Sequence, residues 1–446
     1  MARLVRVALF SPPILHRFQK TFVLLQTGDQ DMRKENKYRL VSLLLLLLSI
    51  DSASAQRFED YFEDRTLRLD YTFAGDETLH QIYVDELVSL PHWYGRRERL
   101  AELPLRGNGQ ITVRSKADGE VIYRHSFSSL FQEWLATDEA KHTQKSFENV
   151  FLVPFPKAPV EIKVEIFDYH DEVINWITHT VDPKDILIRK AGERVVTPYV
   201  TLQQAADTSH CIHVAYVAEG YQQHEMGTFL EDCKAAMEAL FAHEPFKAKQ
   251  NCFNMIAVMS PSAESGVSEP GKGIWKETAL GAHFDTFYSE RYLTTLHLKK
   301  LHDVLAGTPY EHIIVLVNGD RYGGGGIYNS YTLTDAHGPN FRPVVVHEFG
   351  HSFGGLGDEY PYGDDDPMYF HDTEPWEPNL TTQHHFIGKW ENLVKEGKAG
   401  LIEGGGYLTK GVWRGFENCR MRTNEEPEFC LVCRQALTRL IDFYTQ

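Results

Sequence analysis

The sequence predicts a multidomain protein, an antiparallel β-sandwich over 56–195 followed by an α/β domain over 205–446, and three observations carry that reading. The chain has 446 residues, too many for one ordinary core and enough for two. Its first half shows short runs in which apolar and polar residues alternate with a period of two. Its second half alternates apolar strand-like runs with stretches of helical spacing, the pattern of βαβ units and a mostly parallel sheet.

A separate segment precedes both halves. Arg33, Lys34, Lys37 and Arg39 lead into an apolar run that ends with Leu43 to Leu48, and Ala53-Ser54-Ala55 follows. A basic stretch, a short apolar run and a small-residue cleavage site describe a signal peptide over 32–55, too short to span a bilayer. Such a signal begins at its initiator, so Met32 is expected to be the start and 1–31 a spurious upstream extension. The mature chain is then expected to begin near Gln56 and to be secreted, periplasmic or held at the cell surface, without stable insertion in a membrane. The net charge of −17, with no basic stripe, argues against nucleic acid or an anionic membrane as the main partner. It leaves the oligomeric state open.

Within the first half, Ile111-Thr112-Val113 and Val160 to Ile166 are separated by turn signals such as Ala117-Asp118-Gly119. Half-buried antiparallel strands have this alternation, and no catalytic cluster interrupts it. The alternation fades between Lys184 and Ala205. Ile212 to Val217, Phe253 to Met259 and Ile313 to Val317 then read as strands, with helices expected over Phe229 to Phe241 and about Tyr292 to Leu305. Gly323 to Gly326, continuing through Tyr331, combines four glycines with a strand pattern. It reads equally as a sheet edge open to an extended peptide or as a flexible hairpin.

The chemistry concentrates in Arg342 to Phe353. Pro343 suits the first turn of a helix, and His347 and His351, four residues apart, lie on one helical face where both imidazoles reach one ion. Glu348 is placed to accept a proton from a water in the ion's open position and to return it to a leaving amine. A helix with two structural histidines is the bland reading of H-E-x-x-H. The surrounding Gly-rich segment and the extension Gly354-Gly355-Leu356-Gly357-Asp358-Glu359-Tyr360 weigh against it.

A tetrahedral ion with an open position needs a third protein ligand. The glycines after His351 let the chain turn back, so Asp358 is the favoured ligand and Glu359 the competitor, with Glu403 more remote. Tyr407 and Tyr360 are candidate donors to an oxyanion, each also readable as a buried tyrosine with a structural partner. Asp364-Asp365-Asp366 reads as a solvated loop before a calcium site, and His283 with Asp285, like His384-His385, as structural. Asn379-Leu380-Thr381 matches a glycosylation acceptor. Of the six cysteines, a local disulfide from Cys419 to Cys430 or Cys433 is favoured. Cys430-Leu431-Val432-Cys433 as half of a structural zinc site, or as a redox pair, is the alternative.

Together, His347 to Tyr360 resemble the extended signature of metzincin-like peptidases and, more closely, the IgA peptidase family of bacterial secreted zinc metallopeptidases. Cys419 to Arg422 and Phe429 to Cys433 are similar to that family's ending. The resemblance implies a Zn2+-dependent endopeptidase with an amino-terminal β-sandwich and places Met421 in a methionine turn beneath the metal. Gly357 stands at the usual third-ligand position, with the acid one residue later. The expected function is hydrolysis of protein or peptide substrates, of immunoglobulin-A type or others. The alternative is a secreted glycan- or protein-binding module with a degenerate zinc site.

Overall fold

A computed structural model describes residues 57–363, 367–383 and 385–446. The expected signal peptide and start site, Asp364 to Asp366 and His384 lie outside the described residues. Two four-stranded sheets build the first half. One contains β1 (Phe62–Gly75), β2 (His80–Pro91), β5 (Lys145–Pro156) and β8 (Arg189–Lys190) in the order β5-β1-β2-β8; the other contains β3 (Gly109–Ser115), β4 (Val121–Phe127), β6 (Val160–Phe167) and β7 (Val173–Val181) in the order β4-β3-β6-β7. All pairs are antiparallel except β2 with β8. Leu67, Leu69, Tyr71 and Phe73 point inward from β1 at every second position, and Ile111, Val113, Ile162, Val164 and Ile166 share their core. Along β6 buried and half-buried residues alternate strictly, so the period of two there is a burial pattern.

The second half is organised on a six-stranded sheet in the order β13-β14-β12-β10-β11-β9. Its strands are β9 (Tyr199–Gln203), β10 (Ile212–Glu219), β11 (Phe253–Val258), β12 (His312–Val317), β13 (Gly324–Ile327) and β14 (Tyr331–Asp335). The four inner strands are parallel, and β9 and β13 run antiparallel at the edges. Every residue of β10 and β12 is buried, as in parallel strands covered on both faces.

The two faces have different covers. Ala215, Val217, Ile256, Val258, Val315 and Leu333 join the sandwich residues in one continuous core. Val214, Tyr216, Met255, Ile314 and Leu316 pack instead with the helices. In chain order the helices are α1 (Phe58–Tyr61), α2 (Leu130–Leu135), α3 (Met226–Phe241), α4 (Leu298–Val304), α5 (Phe341–Ser352), α6 (Glu391–Lys395) and α7 (Leu431–Thr445). Phe229 of α3, Val345, Val346 and Phe349 of α5 and Leu437 of α7 carry the second core. A small sheet of β15 (Pro361–Gly363), β16 (Leu380–Thr381), β17 (Ile402–Gly405) and β18 (Tyr407–Arg414) lies after α5 in the chain. Among the described residues no helix is long and apolar enough to cross a membrane.

One expectation needs correction and another is narrowed. The helix expected over about 292–305 is confined to Leu298–Val304, because Arg291 to Leu293 runs beside β13 instead. There Leu293 N–H donates to Gly324 O (3.2 Å) and Gly324 N–H donates to Arg291 O (3.3 Å). The glycine edge is thus already paired at Gly324. A Cβ on Gly325 would meet the Tyr292 ring at 2.9 Å, and one on Gly324 would meet the Glu348 carboxylate at 2.8 Å. The glycines permit α5 on one side and Tyr292 on the other to approach the strand closely.

Candidate metal centre

Three consecutive valines, Val344 to Val346, anchor α5 in the core and fix which face its polar residues present. Pro343 falls in the first turn, as its missing N–H allows. At the other end the chain folds back: Gly355, with φ +56°, donates its N–H to His351 O at 2.9 Å, and Leu356 N–H reaches Gly350 O at 3.1 Å. That reversal brings Asp358 to the histidines. Asn379 secures it, accepting from Gly357 N–H (2.8 Å) and donating to Gly357 O and Glu359 Oε1 (2.9 Å each).

The three donor atoms form a small triangle. His347 Nε2 and His351 Nε2 are 3.0 Å apart, and Asp358 Oδ1 lies 3.1 Å from the first and 3.3 Å from the second. A tetrahedral ion with bonds of about 2.0–2.1 Å separates its ligands by about 3.3–3.4 Å, so the triangle is close to one face of such a shell. Each imidazole is oriented from behind. His347 Nδ1–H donates to Arg420 O at 3.0 Å and His351 Nδ1–H to Leu356 O at 2.6 Å, which leaves both Nε2 lone pairs facing inward.

Asp358 Oδ1 is buried without a hydrogen-bond partner, while Tyr407 Oη–H donates to Oδ2 at 2.5 Å. A buried carboxylate oxygen aimed at two imidazole nitrogens suits a divalent cation. Without a cation, protons take its place. Burial opposes charge on His351, but Asp358 prevails and raises it to about 9. Burial alone would raise Asp358, yet His351 and His347 hold it well below the usual carboxylate range. Glu348 also lies with its carboxylate within 4.8 Å of both imidazoles. Burial pushes its pKa up, against the pull of His347 and His351.

Of the two acids considered as third ligand, Asp358 is the one that meets the histidines. Glu359 turns away and is fully buried, bonded to Asn379 and Cys433. Glu403 is exposed and accepts from Gly411 N–H within its own hairpin. Tyr407 donates its hydroxyl to Asp358, and Tyr360, which also hydrogen-bonds Asp358, lies with its ring nearly parallel to His347 at 6.5 Å. Met421 is fully buried, and a Cβ on Gly350 would meet its sulfur at 2.7 Å, so the thioether sits directly against the motif helix.

Asp285 accepts from Gly271 N–H and Arg321, and His283 bonds Phe284 O; both serve structure. Asn379 has no exposed surface and is committed on both sides of its amide, which overturns the glycosylation reading. The six cysteines are thiols, and Cys419 Sγ lies 3.7 Å from Cys433 Sγ, well beyond a disulfide bond.

Glu133 of α2 carried no signal in the sequence. It accepts a hydrogen bond from Tyr292 Oη, and burial pushes its pKa up to about 7, opposed by Tyr292 and His351 and reinforced by Glu348 and Asp358. The first half of the chain thereby places a carboxylate within the electrostatic reach of the centre. A cavity of about 540 Å³ lined by Trp93, Arg96, His210, His213 and Phe443 includes none of these groups.

Residues 200–399 match the family described as IgA Peptidase M64, and residues 57–178 match the Peptidase M64 N-terminus. The first stretch contains His347, Glu348, His351 and Asp358; Tyr407, Met421 and the last three cysteines follow it. No individual curated protein matches the chain. The two stretches span most of the sequence, and the chain belongs to the IgA peptidase M64 family.

Proposed function

We propose that this peptidase is a zinc-dependent endopeptidase of metzincin-like design, with His347, His351 and Asp358 as metal ligands and Glu348 as general base. The observation that carries the proposal is the triangle of two Nε2 atoms and the buried Asp358 Oδ1, which faces only these imidazoles, with a Glu348 carboxylate beside it. Zn2+ in that triangle would supply Lewis acidity toward a water molecule and the scissile carbonyl.

The remaining work falls to side chains of the chain itself. Glu348, ionised, accepts the proton of the attacking water and delivers it to the departing amine. Tyr407 holds Asp358 through Oδ2, so the carboxylate presents Oδ1 in a fixed direction. Tyr360, its ring nearly parallel to His347, is the donor we assign to the developing oxyanion. Met421 supports the turn of α5 between the two histidines. An intact Glu348 at this position counts against a degenerate binding site, since metal retention alone does not require a base.

Substrates are proteins, with immunoglobulin-A-type chains among those to be tested, and export follows cleavage before Gln56. Glu348→Gln tests the mechanism: the variant should keep its zinc and lose about 100- to 10,000-fold in hydrolysis of a denatured protein substrate. Undiminished cleavage would remove Glu348 from the reaction. Mass spectrometry of the exported protein should find Gln56 at the amino terminus; a chain starting at Met1 would refute the export reading.

A further inference from the structure

A second group of ligand atoms lies behind the first. Glu359, Cys419, Cys430 and Cys433 are all buried, and one ligand atom from each lies within 4.8 Å of the others. We propose that these four residues form a structural zinc site, separate from the catalytic centre and closed to solvent.

The geometry is that of a thiolate shell. Cys419 Sγ and Cys433 Sγ are 3.7 Å apart, and a tetrahedral zinc with Zn–S bonds of about 2.3 Å separates its sulfurs by about 3.8 Å. Cys433 Sγ lies 3.1 Å from Glu359 Oε1. Glu359 has no exposed surface, and its Oε2 is buried without any hydrogen-bond partner. A carboxylate oxygen left in this condition is costly unless a cation or a proton meets it.

Glu359, Cys419 and the start of α7 converge to build the site. Cys430 is the N-cap of α7 and Cys433 lies in its first turn, so the C-x-x-C spacing turns both sulfurs toward one point. Cys430 N–H donates to Cys419 Sγ at 3.2 Å, a bond that favours the thiolate form. Glu359 is fixed by Asn379, and its own N–H donates to Met421 O at 2.9 Å. A disulfide between any two of these cysteines would use two sulfurs and leave the third thiol and the buried carboxylate unpaired. One soft divalent ion satisfies all four.

The site would also brace the catalytic centre. Asp358 and Glu359 are consecutive, and Cys419 and Met421 flank the Arg420 carbonyl that orients His347. Zinc in the cluster ties the 358–359 segment to the 419–433 segment immediately behind both groups.

The test uses the full-length protein prepared without chelator. Zinc analysis should give two ions per chain, and the His347→Ala/His351→Ala variant should keep one. Cobalt substituted into that variant should show a near-ultraviolet sulfur-to-cobalt charge-transfer band, and Cys430→Ser/Cys433→Ser should lack it. Alkylation of the denatured, unreduced wild type should label Cys419, Cys430 and Cys433 once the metal is chelated, a measurement independent of any variant's folding. A disulfide among the three overturns the proposal. So does a single zinc that disappears with the histidines, an outcome that leaves the peptidase reading intact.

Discussion

The histidine-aspartate triangle and the cysteine-glutamate cluster are fed by the same two segments, yet they are opposite kinds of site. Asp358 faces one and Glu359 the other; Arg420 orients His347 while Cys419 belongs to the cluster. The His347 and His351 side chains keep 13% and 17% of their surface exposed, enough for a water and a carbonyl to reach them. Glu359, Cys419 and Cys433 have none. Nitrogen and oxygen donors with an open approach suit catalysis, and sulfur donors in a sealed pocket suit folding. Adjacent residues can serve two such ends because successive side chains leave the backbone in opposite directions.

The sharpest way to break this comparison is to exchange the two acids' fates. Asp358→Ala should abolish hydrolysis and weaken zinc at the histidines by more than about 100-fold, since a direct ligand outweighs the 10- to 100-fold typical of its supporting partners. Glu359→Gln should leave zinc bound at the histidines and instead lower the melting temperature. Chelator competition and thermal unfolding separate the two effects. If Glu359→Gln alone strips the histidine site, the ligand assignment is inverted.

Tyr407→Phe probes the next layer and should act more mildly. It removes the Tyr407 hydrogen bond to Asp358 Oδ2 while preserving the ring's packing against Tyr360 and Tyr362. Zinc affinity should fall about 10- to 100-fold, with kcat falling only where zinc is limiting. A variant with full zinc affinity and a depressed kcat at saturating zinc would return Tyr407 to the role of oxyanion donor.

Much of the open site was legible in the sequence because it is local. Four-residue spacing puts His347 and His351 on one face of any helix, and the glycines between His351 and Asp358 announce a reversal. Strand periods of two and the βαβ alternation were equally direct. The closed cluster was legible only in half: the C-x-x-C pair offered part of a zinc site, but nothing in it reveals that Glu359, some seventy positions earlier, lies beside it. Asn379 shows the same limit from the other side: a three-residue glycosylation pattern contains no information about burial. Arg291 to Leu293 failed for a further reason. Tyr292 and Leu293 stand four and three residues before Leu296, a helical spacing, but pairing with β13 and the Tyr292–Glu133 bond outweigh that local preference.

Glu133 offers the finest distinction between the two sites, because it borders only the open one. Burial raises its folded-state pKa to about 7, above the value of about 4.3 expected in the unfolded chain. An acid raised in this way costs nothing below pH about 4, where it is protonated in both states. The folded state then loses stability as pH climbs from there to about 7, and no further above it. Glu133→Gln, which keeps a partner for Tyr292, should erase that loss. Zinc-free variant and wild type should match near pH 4 and diverge by about 1–2 kcal/mol in favour of the variant above pH 7, as read from urea unfolding across that range. Parallel curves would mean that Glu133 stays ionised beside Tyr292. The first half of the chain would then contribute packing to the centre but no titrating charge.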